Sequence, residues 1–563
     1  MLAFGAMSWR LIGLQIFDAP AFAQLAANQR EREIPFSARR GTIFDRDGEP
    51  LAISVDLPTI FTDPKLVEDP VAEAAALAPL VDVPRDELEA KLASPTRFQY
   101  IARQVQPEVA RKVRALDLAG IYTRQEAKRY YPNSSLASQS LGFVDVDGRG
   151  LSGIELLYEE LLRGEPGLMT LEQDPEGVQL PQAEFTYKSP EPGRSLFLTI
   201  DKDLQYFTEL TLQRAVSRYH ADGGSAIVMR VGTGEILALA NSPTFDLNRA
   251  GDASEEARRN RAVASVYEPG SAFKIVTLAA GLQTGSVRPR TKFSVPDTLA
   301  YEGHFFHDSH GHATEEMTVA EIIQQSSNVG TIKIGLQVGG KLLDRFIRRF
   351  GFGAETGLGF PTETTGIVLD RADWSGITIA NLPIGQGIAV TALQMAGAYQ
   401  TIANDGKWVE PKLVMSTLQP GGKVESASAP STRRVISKTT AREMTDILSG
   451  VVEEGGTGTL AAIPGYAVAG KTGTAQKALP TGGYGNSYTA SFAGFAPAHR
   501  PEVVVLVVLD EPSPIWGGHT AAPTFRTIME FTLRHLGVAP TGNAEKAARE
   551  IEEASNAQTP ALD

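Results

Sequence analysis

Pro269 and Gly270 interrupt the chain just before a run in which Ile275, Val276, Leu278, Ala279 and Leu282 recur at helical spacing. Ser271 therefore opens a helix whose apolar residues ask for burial, and Lys274 follows three positions later on the same face. A hydroxyl and an amine held together, partly out of water, suit a nucleophile and its base. Burial lowers a lysine pKa, and a helix N-terminus favours developing negative charge. The same residues also fit an N-cap serine followed by a surface lysine, so the pair alone assigns no chemistry.

At 563 residues the chain exceeds what one core can organise, and about two to four domains are expected. The formal charge of −13 and the lack of a basic run argue against nucleic acid as a partner. There is no cysteine. Disulfides, thiol catalysis and thiolate metal sites are thereby excluded, a composition that suits an exported protein. Met1 to Trp9 and Leu11 to Phe17 are largely apolar around Arg10, short of the roughly 20 residues of a membrane span. The stretch reads as the outer half of a membrane anchor whose beginning is missing from this translation; a short amphipathic or core helix is the alternative.

Residues 18 to 36 read as a helical connector, Thr42 to Phe44 and Leu51 to Val55 as strands about an Asp47-Gly48 turn, and 65 to 118 as small helices. Leu156 to Leu162 reads as helix and 165 to 193 as extended linking chain. The character changes near Pro192-Gly193. A strand at 195 to 200, a helix opened by Asp201, and a hairpin at 225 to 240 follow. Helices are predicted at 318–325, 341–350, 391–403, 439–452 and 523–536, and strands at 466–475, 488–495 and 503–509. Early and late strands around intervening helices predict a mixed α/β domain whose sheet unites its two ends. The tail from about 540 is polar and expected to be mobile.

Two further clusters carry chemistry. Ser326-Ser327-Asn328, directly after the helix at 318–325, has the composition of a cap or turn, yet Ser326 can relay a proton and Asn328 can both donate to and accept from a peptide group. Ala469-Gly-Lys-Thr-Gly-Thr-Ala475 offers a cation on Lys471, hydroxyls on Thr472 and Thr474, and at Gly473 a place where a ligand backbone lies close. Strand alternation puts Lys471 and the threonines on opposite faces, so a twist or a bulge at Gly473 is required to assemble them. Gly465 to Thr472 also satisfies the phosphate-loop pattern G-x-x-x-x-G-K-[ST]. No helix follows Thr472, which argues against nucleotide hydrolysis. His304, His307, His310 and His312 with Asp308 have the composition of a zinc site; a solvent-exposed connector without regular structure is the competing account.

Ser271-x-x-Lys274, Ser326-x-Asn328 and Lys471-Thr-Gly-Thr474, in that order, resemble the three motifs of the penicillin-binding proteins and serine β-lactamases. Arg40-Gly-Thr-Ile-Phe-Asp-Arg-Asp-Gly48, Arg129-Tyr-Tyr-Pro132 and Gly150-Leu-Ser-Gly-Ile-Glu155 narrow the likeness to class B penicillin-binding proteins, as do Trp374-Ser-Gly376, Asn381 to Gly387 and Leu393-Gln-Met395. In detail it is to septal transpeptidases, especially those of high-GC Gram-positive bacteria. The resemblance implies a partial membrane anchor at 1–20, an elongated non-catalytic α+β pedestal of dimerisation type at 21–190, a transpeptidase domain at 191–540 with an antiparallel sheet sandwiched by helices, and a tail at 541–563. It implies a peptidoglycan D,D-transpeptidase without cofactor or metal, inhibited by β-lactams. Ser271 would attack the D-Ala-D-Ala stem peptide, Lys274 would act as base, and Ser326, bridged to Lys471, would pass the proton on. Asn328 would hold the substrate amide, while Thr472, Gly473 and Thr474 would bind substrate. A SEDS-type glycan polymerase, divisome proteins and the membrane are the implied partners. Ala272 departs from the small polar residue usual after the nucleophile. A β-lactamase, a β-lactam sensor and a non-catalytic division scaffold are the alternatives.

Overall fold

A five-stranded antiparallel sheet unites distant parts of the chain, in the order Ile236–Ser242, Gly223–Arg230, Val503–Asp510, Tyr484–Ala496, Ala469–Ala478. The computed structural model describes residues 2–12, 31–36, 38–172, 186–479 and 482–541. Val503–Asp510 is central and apolar from end to end except for Asp510, as a strand covered on both faces must be. Its side chains alternate: Val503, Val505, Val507 and Leu509 join the helices Lys202–Arg218 and Ala521–His535, while Val504, Leu506 and Val508 join the core that holds Lys274–Thr284 and Ala392–Ala403. The mixed α/β fold, with its sheet between helical layers, is the one the sequence led us to expect. Asp201 caps the first helix by accepting from the amides of Asp203 and Leu204.

A second sheet runs across the whole molecule. Its order is Val424–Ser426, Val414–Leu418, Ser195–Leu198, Ile43–Phe44, Pro50–Thr62 and Gln99–Ala102, with Ile121–Tyr130 also paired to Pro50–Thr62. Ile43–Phe44 pairs parallel with Ser195–Leu198, so the N-terminal half donates strands to the sheet of the C-terminal half. At Gly41 a Cβ would lie 1.9 Å from the Arg194 carbonyl oxygen, so a side chain there would prevent this approach. Beside the junction, Arg40 and Arg129 converge on the buried Glu155, each at 2.6 Å.

Several expectations need correction. In the connector read as helical over 18–36, Glu31–Phe36 is a strand paired with Gly167–Glu172, and 18–30 lie outside the described residues. In the anchor stretch the described helix is Leu2–Ile12, and among the described residues no helix is long and apolar enough to cross a membrane. The tail from 542 lies outside the described residues. The ten-residue strand Ile121–Tyr130 was hidden by its charge; it forms the outer partner of Pro50–Thr62 and stays mostly uncovered. The helix Asn328–Val338 was also missed. Its two glycines argue against helix, but Gly330 lies against Ile322 and Gly335 against Pro383, where a Cβ would come within 2.7 and 2.3 Å. Tertiary contact overrides propensity there.

Candidate active site

Ser271 lies in a 3-10 turn, Gly270–Phe273, which leads straight into the helix Lys274–Thr284. In 3-10 geometry side chains at i and i+3 share one side of the turn, which places Ser271 and Lys274 on the same face. Gly270 makes the turn possible: its φ is +52°, and a Cβ there would come within 3.0 Å of Ala475 and the Thr474 carbonyl. Its amide donates to the Gly385 carbonyl at 3.1 Å, and Tyr399 donates its hydroxyl to the Ala272 carbonyl at 2.9 Å. The nucleophile turn is thus held from the sheet edge, from the 382–387 loop and from the core.

Lys274 is fully buried, and burial pushes its amine down to about 7, against a smaller opposing influence from Asp308. Nζ donates to the Ser326 carbonyl at 2.7 Å and to Asn328 Oδ1 at 2.8 Å, and lies 3.3 Å from Ser326 Oγ. Ser326 ends the preceding helix in the left-handed region, at φ +61°. Ser327 then caps Asn328–Val338 by accepting from the Gly330 amide. The cluster thus links two helices rather than ending one, and that link turns both acceptors toward the lysine.

Lys471 is buried in the edge strand Ala469–Ala478, and its Nζ donates to Thr472 Oγ1 at 3.1 Å and to the Thr472 carbonyl at 3.3 Å. Burial, with Lys274 nearby, holds its amine well below the usual lysine range. The bulge expected at Gly473 is absent: pairing with Tyr484–Ala496 is regular from Ala469 to Gln476 and shifts only between Gln476 and Ala478. The long lysine side chain reaches Thr472 without it. Nor is Gly473 open to a ligand backbone along its Cβ direction, where a Cβ would meet Ser491 Oγ at 2.3 Å, the Pro269 carbonyl at 3.0 Å and Ala272 at 3.2 Å. The glycine instead lets the nucleophile turn sit on the strand. The expected bridge from Ser326 to Lys471 is not among the described contacts; Ser326 faces Lys274.

Ser271, Ser326, Asn328, Thr472 and Thr474 line one cleft of about 410 Å³, with Lys274 and Lys471 behind its wall. Thr472 Oγ1 lies 2.9 Å from Thr457 Oγ1, and Thr474 Oγ1 accepts from the Gly517 amide at 3.0 Å. His310 and Trp516 meet at the cleft with ring centroids 6.2 Å apart. The strand through Gly470-Lys471-Thr472 continues without a helix, which removes the phosphate-loop reading. The histidine stretch is regular only in its first half, where His304–His307 pairs with Thr298–Tyr301 in a hairpin; His310 and His312 lie in irregular chain, as the connector account expected. Strand alternation turns His304 and His307 to opposite faces. Among the described residues, no group of three or more such side chains is gathered where it could hold a metal ion.

Residues 224–530 match the penicillin-binding protein transpeptidase domain, and residues 35–198 the penicillin-binding protein dimerisation domain. The chain is 35% identical to the peptidoglycan D,D-transpeptidase FtsI of Escherichia coli, covering 96% of this chain and 91% of that protein. This chain belongs to the class B penicillin-binding proteins. It is also 34% identical to the penicillin-binding protein PbpB of Mycobacterium tuberculosis, over 94% of this chain and 82% of that one. A peptidoglycan synthetase from Bifidobacterium adolescentis superposes with a TM-score of 0.76 at 32% identity, over 91% of this chain and 98% of that one. Penicillin-binding protein 3 of Mycobacterium tuberculosis complexed with ampicillin superposes at 0.71 with 31% identity, over 91% and 98%. In this penicillin-binding protein, sequence reasoning missed Asp308, Thr457, Trp516 and Tyr399. They reach the site through space, and only the aspartate lay in a stretch that spacing had singled out.

Proposed function

We propose that this class B penicillin-binding protein crosslinks peptidoglycan stem peptides through an acyl-enzyme on Ser271, in cell-wall synthesis at division. Ser271 Oγ attacks the penultimate carbonyl of a D-Ala-D-Ala end, the peptide C–N bond breaks, and D-alanine leaves with a proton. The side-chain amine of a neighbouring stem then takes the acyl group and frees the serine. The observation that carries this reading is the setting of Lys274. A neutral amine has two N–H groups and one lone pair. The Ser326 carbonyl and Asn328 Oδ1 use the two N–H groups, so the lone pair remains for the Ser271 proton. Ser326 Oγ, 3.3 Å from the same nitrogen, offers a route for that proton to the departing amine. Thr472 and Thr474, with Lys471 behind them, supply donors for the terminal carboxylate, and the second Nδ2 hydrogen of Asn328, the one not given to the His307 carbonyl, meets the substrate. The Ser271 and Thr474 amides serve the oxyanion, each worth about 3 kcal/mol. The reaction balances without metal or nucleotide.

A β-lactam acylates Ser271 and stays, because its leaving amine is tethered; the ampicillin complex of the mycobacterial relative supports this. Residues 21–190 act as the pedestal and 191–540 as the transpeptidase unit. The N-terminal stretch anchors the chain, with its bulk outside the membrane, beside a SEDS-type glycan polymerase and divisome proteins. Phe4, Met7 and Trp9, exposed on the helix Leu2–Ile12, support the anchor. Labelled penicillin is expected to acylate the protein and to leave Ser271→Ala unlabelled; labelling that survives the substitution sinks the assignment. Lys274→Ala is expected to lose acylation while keeping its fold.

A further inference from the structure

The histidine hairpin, with its following aspartate, ends against the turn that carries Ser326 and Asn328. The side chain of Asp308 is 7% exposed, and its two oxygens accept from four donors. Oδ1 takes the Asn328 amide and, at 2.9 Å, the Val329 amide. Oδ2 takes the Ser327 hydroxyl at 2.7 Å and His312 Nε2 at 3.1 Å. The first two are orphan donors at the start of the helix Asn328–Val338, so the carboxylate caps that helix from outside its own segment.

One residue earlier, the His307 carbonyl accepts from Asn328 Nδ2 at 3.0 Å. This contact decides which way the amide faces. With Nδ2 committed to the hairpin, Oδ1 is the atom presented to Lys274. A reversed amide would set two donors against each other. Ser326 at φ +61° is a non-glycine in a region such residues avoid, a conformation that persists only where its surroundings over-determine it. The contacts at Ser327, Asn328 and Val329 supply that constraint.

We infer that Asp308, with the His307 carbonyl, is the positioning element of the acylation machinery: it fixes the Ser326–Asn328 turn so that both acceptors meet the amine of Lys274. This rests on the reading of Lys274 as the base. Asp308 acts on the reaction twice, through the geometry of the turn and through its charge. Lys471 on the edge strand and Asp308 are the charged groups near Lys274, and His312 contacts the far side of Asp308. Asp308 is the one that favours the protonated amine.

The test is the pH profile of second-order acylation by a fluorescent penicillin, on the full chain, for wild type, Asp308→Asn and Asp308→Ala. Asparagine keeps an acceptor for both amides and removes the charge. It is expected to move the acidic midpoint of the profile down by about one pH unit, while keeping most of the plateau. Alanine is expected to lower the plateau about 100-fold, with asparagine restoring most of that loss. A uniform fall in rate without a midpoint shift in Asp308→Asn would overturn the inference, as would a wild-type plateau in Asp308→Ala. Should the alanine variant not fold, the midpoint of the asparagine variant decides alone. Failure of the base assignment itself would look different, since Lys274→Ala would then acylate normally.

Discussion

Lys274 is fully buried and lies close enough to Lys471 to disfavour a proton there, and among the described contacts neither amine has a carboxylate in hydrogen-bond reach. At Lys274 burial yields an amine with a proton affinity near neutrality, where a general base is most useful. The sign follows directly. The base is the neutral form, so below about 7 its population falls with each added proton. Acylation by penicillin is therefore expected to rise through about 7 and flatten above, measured as the second-order rate across pH. A flat profile through that range would remove Lys274 as the titrating group. Ser271 and Lys274 were legible in the sequence because three positions in one turn is a local relation. Asp308 was not, because three of its four partners lie 19 to 21 positions away and two of those are backbone amides, which carry no residue-type signal. Its histidine neighbours drew attention to metal chemistry instead.

Among the elements, the edge strand and the nucleophile turn are one working part. Gly473 is the contact point, and a methyl group there collides with Ser491 Oγ, Pro269 and Ala272. Gly473→Ala is expected to cost about 1–3 kcal/mol in chemical unfolding and to slow acylation further, since the turn carrying Ser271 must shift. Unchanged stability and rate would show that the turn is not seated on the strand. The central strand Val503–Asp510 was readable because a covered strand is a nearly uninterrupted apolar run. The helix Asn328–Val338 was not, because its glycines signal a break when read locally. They are instead the points where Ile322 and Pro383 come close, which only the packed structure reveals.

Across the whole molecule, the buried Glu155 holds Arg40 and Arg129 and accepts from the Tyr131 hydroxyl at 3.3 Å. Removing the carboxylate leaves two arginines under-partnered in the interior. Glu155→Ala is expected to lose about 3–5 kcal/mol, measured by urea unfolding; a loss below about 1 kcal/mol would mean the network adds little. The motifs carrying these residues were visible as sequence signatures, but their meeting point was not. It lies where residues 41–44 pair with 194–197, a distance in sequence that no local pattern reports. That shared sheet has a consequence for how the protein is made. Ile43–Phe44 cannot find its parallel partner until Ser195–Leu198 has been synthesised, and that strand in turn waits for Val414–Leu418. For most of translation, then, the N-terminal half carries an open strand edge, a template for mispairing. A chain built this way gains from being held unfolded until its last third is complete, and its first half cannot finish folding ahead of the second.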